Sequence, residues 1–321
     1  MNSKTLRRGL AALLATAVTF GAITQATADT LRIGYQKYGT LVLLRANGEL
    51  DRRLAEKGID VRWIEFPAGP QLLEGLNVGA VDFGTTGETP PVFAQAAGAD
   101  LLYVTHEPPA PLSEAILVPK DSPIQSVSDL KGKRVAFNKG SNVHYLLVRA
   151  LEDAGLGIHD VTSVFLPPAD ARAAFERGSV DAWVIWDPFQ AAAEQQIEAR
   201  TLRNGEGLVN NHQFYLSTRS YAEQNPEVIQ ILIEEIDRIG QWTLANADAA
   251  AEQVAPLLGL SHEITRTALT RQSYGTRTLT PEVVQAQQAI ADTFFELKLI
   301  PRALNISEVI WTPTAQQTAG N

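Results

Sequence analysis

The sequence has no cysteine among its 321 residues, and this absence removes several classes of protein at once. A disulfide framework, a thiol nucleophile and a lipid anchor on a cysteine are all excluded. A chain of this length can bury an adequate core without disulfides, and it suggests about two domains.

The signatures of catalysis, nucleotide binding and metal binding are missing as well. The sequence contains no G-x-S-x-G, no Walker motif, no G-x-G-x-x-G and no H-E-x-x-H, and its five histidines are scattered. His144 is better suited to a helix start than to a metal ion. We therefore expect no catalytic residue, no metal ion and no cofactor.

Long apolar runs and basic stretches are scarce beyond residue 28. No later segment approaches the ~18 apolar residues of a membrane-spanning helix. The net charge is −9, and it becomes −12 when Lys4, Arg7 and Arg8 are left out. An acidic chain without a basic stripe binds nucleic acid and anionic membranes poorly. A bound anion would have to be held by local groups.

The first 28 residues have the three parts of a secretory signal peptide. Three positive charges precede a mostly apolar run over residues 10–23, and small residues follow at 26–28. We expect cleavage near Ala28 and Asp29, and a mature protein in the periplasm of a two-membrane bacterium.

Alternating strand and helix patterns occur twice along the chain. The first set runs from Leu31 to Phe83 and the second from Arg134 to Trp186, each in the order strand, helix, strand, helix, strand. In both sets the second helix is followed by Gly-x-Val-Asp, at 79–82 and 178–181. This internal repeat predicts two α/β units, each with a parallel-rich sheet covered by helices.

The chain passes between the two units twice. A proline-rich segment at 107–123 leaves the first unit, and a strand-like segment at 209–221 returns to it before a helical last third. We predict lobe one over residues 29–117 and 214–321, lobe two over 118–213, and a two-stranded hinge between them. A cleft between hinged lobes is a common place for a ligand.

The stretch GTTGETPP, residues 84–91, follows the last strand of the first repeat. Its backbone N–H groups and the hydroxyls of Thr85 and Thr86 are donors at a helix start, where an oxyanion can be bound without a lysine. Ser141 and Asn142 occupy the matching place in the second repeat. Two such ends facing across a cleft could hold one small anion, although caps and turns use the same residue types.

Other side chains at the strand ends are further candidates. Gln36 follows the first strand and could donate to the same anion, and Trp186 could flank an apolar ligand tail. Glu88 suits the helix dipole but would repel an anion, so we expect it to point away or to meet a cationic group on the ligand. The directions of Glu107 and Asp187 stay open.

Long contiguous stretches carry a family resemblance. They are LRIGYQK from Leu31, EFPAGPQLLEGLNVG from Glu65, GTTGETPP, DLKGKRVAFNKGS from Asp129, and PADARAAFERGSVDAWVIWDP ending at Pro188. These stretches resemble the periplasmic aliphatic-sulfonate-binding proteins of ABC importers (the SsuA type), within the wider nitrate, sulfonate and taurine group. The resemblance implies a bilobed type II binding-protein fold without enzymatic activity. It also implies a monomer, a small organic sulfonate as ligand and an inner-membrane ABC permease as partner.

The resemblance also implies a set of ligand-binding residues. The sulfonate oxygens would meet donors on the strand ends and helix starts, with a tryptophan beside the alkyl part: Gln36, Gly69, Thr85, Thr86, Gly87, Ser141, Asn142 and Trp186. Glu88 stands in place of a shorter aspartate, Tyr38 is an extra residue, and NVH from Asn142 replaces a more serine-rich loop. These departures leave taurine, a sulfate ester or an aromatic sulfonate open.

Three alternative functions keep a similar fold. A nitrate or bicarbonate receptor would have no room for an organic tail. A secreted enzyme related to the pyrimidine-precursor proteins would need a cofactor or a reactive histidine and cysteine. A signalling receptor would present its ligand to a membrane sensor.

Overall fold

The computed structural model describes residues 29–312, so the predicted signal peptide at 1–28 lies outside the described residues. These residues form ten strands: β1 (Asp29–Tyr35), β2 (Ile59–Glu65), β3 (Phe83–Gly87), β4 (Leu101–His106), β5 (Glu114–Val118), β6 (Arg134–Phe137), β7 (Thr162–Phe165), β8 (Ala182–Trp186), β9 (Arg200–Asn204) and β10 (Gln213–Thr218).

Within residues 29–312, twelve α-helices connect and cover these strands. They are α1 (Gly39–Asn47), α2 (Glu49–Ala55), α3 (Gly69–Asn77), α4 (Thr89–Ala96), α5 (Asn142–Asp153), α6 (Pro168–Glu176), α7 (Phe189–Gln196), α8 (Arg219–Gln224), α9 (Pro226–Ala245), α10 (Ala247–Leu258), α11 (His262–Arg271) and α12 (Pro281–Glu296). In this part of the chain no helix is both long and apolar enough to cross a membrane.

The strands form two five-stranded sheets with the same topology. The orders are β2-β1-β3-β10-β4 and β7-β6-β8-β5-β9. In each sheet the first three strands in this order run parallel to one another. The fourth strand, β10 or β5, runs antiparallel to its neighbours on both sides. The predicted bilobed α/β fold is confirmed, with sheets that are mixed. We call the first sheet with its helices lobe one and the second lobe two.

The Gly-x-Val-Asp motif ties each sheet together in the same way. The Asp82 carboxylate accepts a hydrogen bond from the Arg32 backbone N–H at 2.8 Å, and the Asp181 carboxylate accepts one from the Arg134 N–H at 2.8 Å. Both arginine side chains also pair with these aspartates. The sequence repeat is therefore a repeat of structure.

The first crossing lies at a slightly different place from the one predicted. The chain leaves lobe one after β4 and enters lobe two with β5, whose residues from Glu114 onward pair with β8 and β9. The predicted boundary between 117 and 118 therefore divides a strand of the second sheet. This strand takes its place only through partners far along the chain, which local patterns do not show.

Lobe one is a sheet covered on both faces. Alternate residues of its strands face either α1, α9 and α10 or α3, α4 and α12, forming two hydrophobic clusters. Lobe two has a third cluster under α5 and α6. A fourth, small cluster joins Ala191 and Ala192 of α7 to Ile264 and Ala268 of α11. Helix α11 therefore packs on lobe two, although the segment 214–321 was predicted to belong to lobe one.

Candidate functional site

A cavity of about 180 Å³ lies between the lobes, at the carboxyl ends of strands from both sheets. Lobe one contributes the residues after β1 and β2, and lobe two contributes those after β7 and β8: Gln36, Lys37, Tyr38, Glu65, Phe66, Pro67, Pro167, Pro168, Ala169, Trp186 and Phe189. Ligands of α/β proteins bind at such strand ends. The cavity is therefore placed where the sequence predicted an interlobe site.

The walls of this cavity are largely apolar. Trp186 is buried and meets the Phe189 ring edge-on, with the ring centroids 6.2 Å apart. Phe66 and several prolines complete the apolar lining. The charged Lys37 lies 3.6 Å from the Glu65 carboxylate, so these two charges offset each other. The cavity can accept an apolar tail.

Several helices begin around this cleft. Helices α1, α6 and α7 start at the cavity wall, and α3 and α5 start along the same interface between the lobes. Among the described residues, none of their N-cap positions makes a side-chain capping bond: Tyr38, Ala68, Ser141, Pro167 and Pro188. First-turn N–H groups of a helix without such caps can donate to an oxyanion, and the helix dipole favours negative charge there.

Gln36 and Thr85 are linked directly. The Gln36 amide donates to the Thr85 carbonyl oxygen at 3.1 Å, and the Thr85 hydroxyl donates to the Phe214 carbonyl oxygen at 3.0 Å. Both side chains are buried. These predicted donors therefore bond to backbone oxygens in this arrangement, and a ligand would have to replace those bonds.

Gly69 and Thr86 pack against each other at the start of α3. A Cβ on Gly69 would lie 3.2 Å from Thr86 Cβ and 2.8 Å from Pro90, so this contact requires a glycine. The Thr86 hydroxyl donates to the Gly87 carbonyl oxygen at 2.9 Å. Thr86 thus stands at the junction of two chain segments predicted to bind the anion.

Gly87 of lobe one touches Asn142 of lobe two. A Cβ on Gly87 would lie 2.9 Å from Asn142 Cβ. The Asn142 amide donates to the Glu114 carboxylate at 2.5 Å and to Asn211 at 3.2 Å. The neighbouring Ser141 hydroxyl donates to the Asn138 carbonyl oxygen at 2.7 Å. The two predicted anion-binding ends therefore meet across the lobe interface.

Glu88 turns towards the crossing segment between β9 and β10. Its carboxylate accepts the His212 backbone N–H at 3.2 Å, and the side chain is almost completely buried. Burial raises the pKa of Glu88 to about 7, against two opposing backbone hydrogen bonds. Glu88 is not among the residues that line the cavity beside Trp186.

Glu107 and Asp187, whose directions the sequence left open, are also held by protein partners. The Glu107 carboxylate accepts the hydroxyls of Thr40 at 2.6 Å and Tyr215 at 3.0 Å. The Asp187 carboxylate accepts the Ala191 N–H at 2.9 Å, and the Arg271 guanidinium lies 3.5 Å away. Burial raises the pKa of each carboxyl to about 7.

The structure brings the eight predicted residues into one region without placing them all on one wall. Gln36 and Trp186 line the cavity, while the other six form the contacts beside it, described above. Their binding roles stay predictions. Phe66, Pro67 and Phe189 are cavity residues that were not predicted from the sequence. Both repeats carry prolines just after their second strand, and these prolines mark the cavity wall.

Comparisons with known proteins agree with this architecture. The profile of the NMT1/THI5-like family matches residues 54–250. An aliphatic sulfonates-binding protein of Escherichia coli strain K12 is 44% identical over 96% of this chain and 97% of its own length. Among solved structures, the alkanesulfonate-binding protein SsuA of Xanthomonas axonopodis pv. citri, bound to MOPS, is 43% identical. The TM-score of this match is 0.85, and the match covers 89% of this chain and 99% of the Xanthomonas chain.

A second solved structure gives the same result. The periplasmic aliphatic sulphonate binding protein SsuA of Escherichia coli is 44% identical with a TM-score of 0.82, covering 91% of this chain and 95% of its own. These comparisons confirm the resemblance predicted from the sequence.

Proposed function

Because the chain belongs to the NMT1/THI5-like family and, within it, to the aliphatic-sulfonate-binding proteins, we propose that it captures aliphatic sulfonates between its lobes and delivers them to an ABC permease for sulfur acquisition. Its relatives are named as binding proteins, so the proposed role is binding without catalysis. We further propose that the mature protein is a periplasmic monomer, released by cleavage near Ala28.

The observation that carries this proposal is the combination of helix N-termini with an apolar cavity. A sulfonate has no proton at neutral pH, so it needs donors and no acceptor. The first-turn N–H groups of α3 and α5, to which no N-cap side chain is bonded, supply such donors. A ligand that keeps an O–H would need an acceptor as well, or that group would be left unpaired.

The cavity beside Trp186 supports an organic tail rather than a bare inorganic anion. Its volume of about 180 Å³ and its Phe66, Trp186 and Phe189 walls fit a short alkyl chain. Nitrate and bicarbonate would leave this apolar surface unused. Taurine would place an ammonium there, and Glu65, a carboxylate that lines the cavity, already faces Lys37. The aliphatic sulfonate is therefore the better match.

A chain-length series tests the proposal. Affinity for linear alkanesulfonates should rise by about 0.8 kcal/mol per methylene until the cavity is filled. Trp186→Ala should flatten this rise, whereas Trp242→Ala, which removes a tryptophan of α9 far along the chain, should leave it unchanged. Calorimetric titration of both variants measures the slope. A slope of zero in the wild-type protein would contradict an apolar tail site.

A further inference from the structure

His144 is a buried side chain in the first turn of α5 that does not line the cavity beside Trp186. Only 1% of its surface is exposed. Its Nδ1 atom accepts a hydrogen bond from the Gly140 backbone N–H at 3.3 Å. His144 therefore stabilises the loop before α5, which carries Ser141 and Asn142, the predicted anion-binding end of lobe two.

The ring of His144 lies among phenylalanine rings from both lobes. In lobe two, its centroid is 4.9 Å from that of Phe137 of β6. In lobe one, it is 5.0 Å from Phe294 of α12 and 6.1 Å from Phe93 of α4. Aromatic pairs attract each other at centroid separations of about 4.5–7 Å. His144 is thus a side chain of lobe two that packs on two rings of lobe one.

This ring is uncharged near neutral pH. Burial and, to a smaller extent, the positive charge of Lys139 lower the pKa of His144 to about 3. A neutral imidazole can be buried among phenylalanines without the cost of removing a charge from water. The contact with lobe one is therefore an aromatic contact and needs no charged partner.

The residues on either side of His144 touch the same two rings of lobe one. A Cβ on Gly140 would lie 3.2 Å from Phe93 Cγ. The Tyr145 ring lies 6.1 Å from that of Phe294, and the Phe93 and Phe294 centroids are 4.9 Å apart. Residues 140–145 of lobe two thus form a continuous contact with α4 and α12 of lobe one.

On the basis of the proposed sulfonate binding, we propose that this contact is a latch between the lobes. His144 of lobe two, packed on Phe93 and Phe294 of lobe one, stabilises the arrangement in which the lobes are closed and so increases the affinity for the sulfonate. His144 is a positioning residue in this role, because it acts through the two lobes and the loop before α5 and not through contact with the ligand.

The latch acts through the equilibrium between open and closed lobes. Separation of the lobes at this place removes the His144 ring from Phe93 and Phe294, whereas its contact with Phe137 lies within lobe two and persists. A contact made only in the closed state increases the population of that state. A ligand that is bound between the lobes then binds more tightly, since less of its binding free energy is spent on closure.

Phe93→Leu tests the latch from the side of lobe one and leaves α5 unchanged. Phe93 is only partly buried, so the variant keeps the fold. Calorimetry with butanesulfonate should show an affinity about twofold to tenfold lower than in the wild type, the contribution typical of one aromatic pair. Phe295→Leu changes an exposed ring of α12 next to Phe294, and this matched control should leave the affinity unchanged.

A double-mutant cycle distinguishes a latch from two independent structural effects. His144→Leu removes the ring on the side of lobe two and should also lower the affinity. Because both changes break the same contact, the double variant should lose less affinity than the product of the two single losses. Single losses that multiply in the double variant, or an unchanged affinity in Phe93→Leu, would overturn the proposal.

The separation of the lobes can also be measured without a ligand. The chain has no cysteine, so Lys57→Cys in lobe one and Arg177→Cys in lobe two, both at exposed positions, can carry a donor and an acceptor dye for energy transfer. Phe93→Leu should increase the mean distance between the dyes in the ligand-free protein, and Phe295→Leu should not. An equal distance in all three proteins would overturn the latch whether or not butanesulfonate binds, so failure of the latch and failure of the proposed function are distinguishable.

Discussion

Gly87 of lobe one and Asn142 of lobe two are in direct contact, with no space for a side chain at position 87. A Cβ there would lie 2.9 Å from Asn142 Cβ and 3.0 Å from Asn142 Cγ. The contact joins the end of β3 to the start of α5, the two places where the repeated sequence predicts anion binding. Lobe closure and the proposed site therefore share this point.

Gly87→Ala should weaken sulfonate binding by holding the lobes apart. Overpacking of a close contact costs about 1–3 kcal/mol, which corresponds to a roughly 5-fold to 150-fold loss of affinity. Calorimetry with butanesulfonate measures it. Gly157→Ala is the matched control, because a Cβ at 157 meets only Asp160, at 3.9 Å. Equal affinity of Gly87→Ala and wild type would show that binding does not need this contact.

Thr86→Ala should also weaken sulfonate binding, by about 1–3 kcal/mol, the range for a donor to a charged group. The hydroxyl now donates to the Gly87 carbonyl oxygen and would turn to the ligand on binding. Thr270→Ala removes a hydroxyl with a similar bond, to the Thr267 carbonyl oxygen at an exposed position of α11, and serves as control. Unchanged affinity in Thr86→Ala would remove Thr86 from the site.

The two aspartates of the repeat should differ in their contribution to stability. Asp82→Asn should lower the free energy of unfolding by about 1–3 kcal/mol, because it weakens charged hydrogen bonds to Arg32. Asp181→Asn should cost less, since its side chain is 31% exposed against 7% for Asp82, and solvent screens its pair with Arg134. Urea denaturation of both variants measures the order. A larger loss of stability in Asp181→Asn than in Asp82→Asn would contradict the claim that the more buried aspartate contributes more.

Glu107 should make the folded protein less stable as pH rises. Burial raises its folded-state pKa to about 7 from an ordinary value of 4.5, so its contribution is fully present below pH 4.5 and is lost as pH rises through 7. One such group changes the free energy of unfolding by up to about 1.4 kcal/mol per pH unit.

Glu107→Gln removes this titration while Oε1 still accepts from Thr40 and Tyr215. The variant should therefore show a shallower fall in stability between pH 5 and pH 7 than the wild type. Urea midpoints at several pH values measure the slope, with Glu296→Gln as an exposed control. If the two slopes coincide, Glu107 does not titrate in this range.

The sequence alone predicts the first three strands of each sheet, but not which strand is inserted beside them. The Gly-x-Val-Asp motif and the alternating patterns are local, and they give β1 to β3 and β6 to β8. Strands β10 and β5 are inserted beside β3 and β8 from distant parts of the chain. Local patterns do not contain these pairings, and so the boundary near β5 was misplaced.

The sequence likewise predicts where the candidate site lies but not the partners of its side chains. Its residues follow from strand ends and helix starts, which the sequence marks with Gly, Thr, Ser and Asn. The direction of Glu88 depends on His212, 124 residues away, and Asn142 finds Glu114 across 28 residues. The hydroxyl partners of Thr85 and Ser141 likewise depend on tertiary packing, which no motif specifies.

The most direct test of the account is calorimetry on the mature protein, unfolded and refolded to remove carried-over ligand, in a sulfonate-free buffer. Butanesulfonate, taurine, an alkyl sulfate ester, nitrate and sulfate are titrated in turn. We predict tight binding of butanesulfonate and little response to nitrate, because the donors of the helix starts take the sulfonate and the cavity beside Trp186 takes the tail. Binding of nitrate alone, or no heat from any of the five, would contradict the proposed ligand.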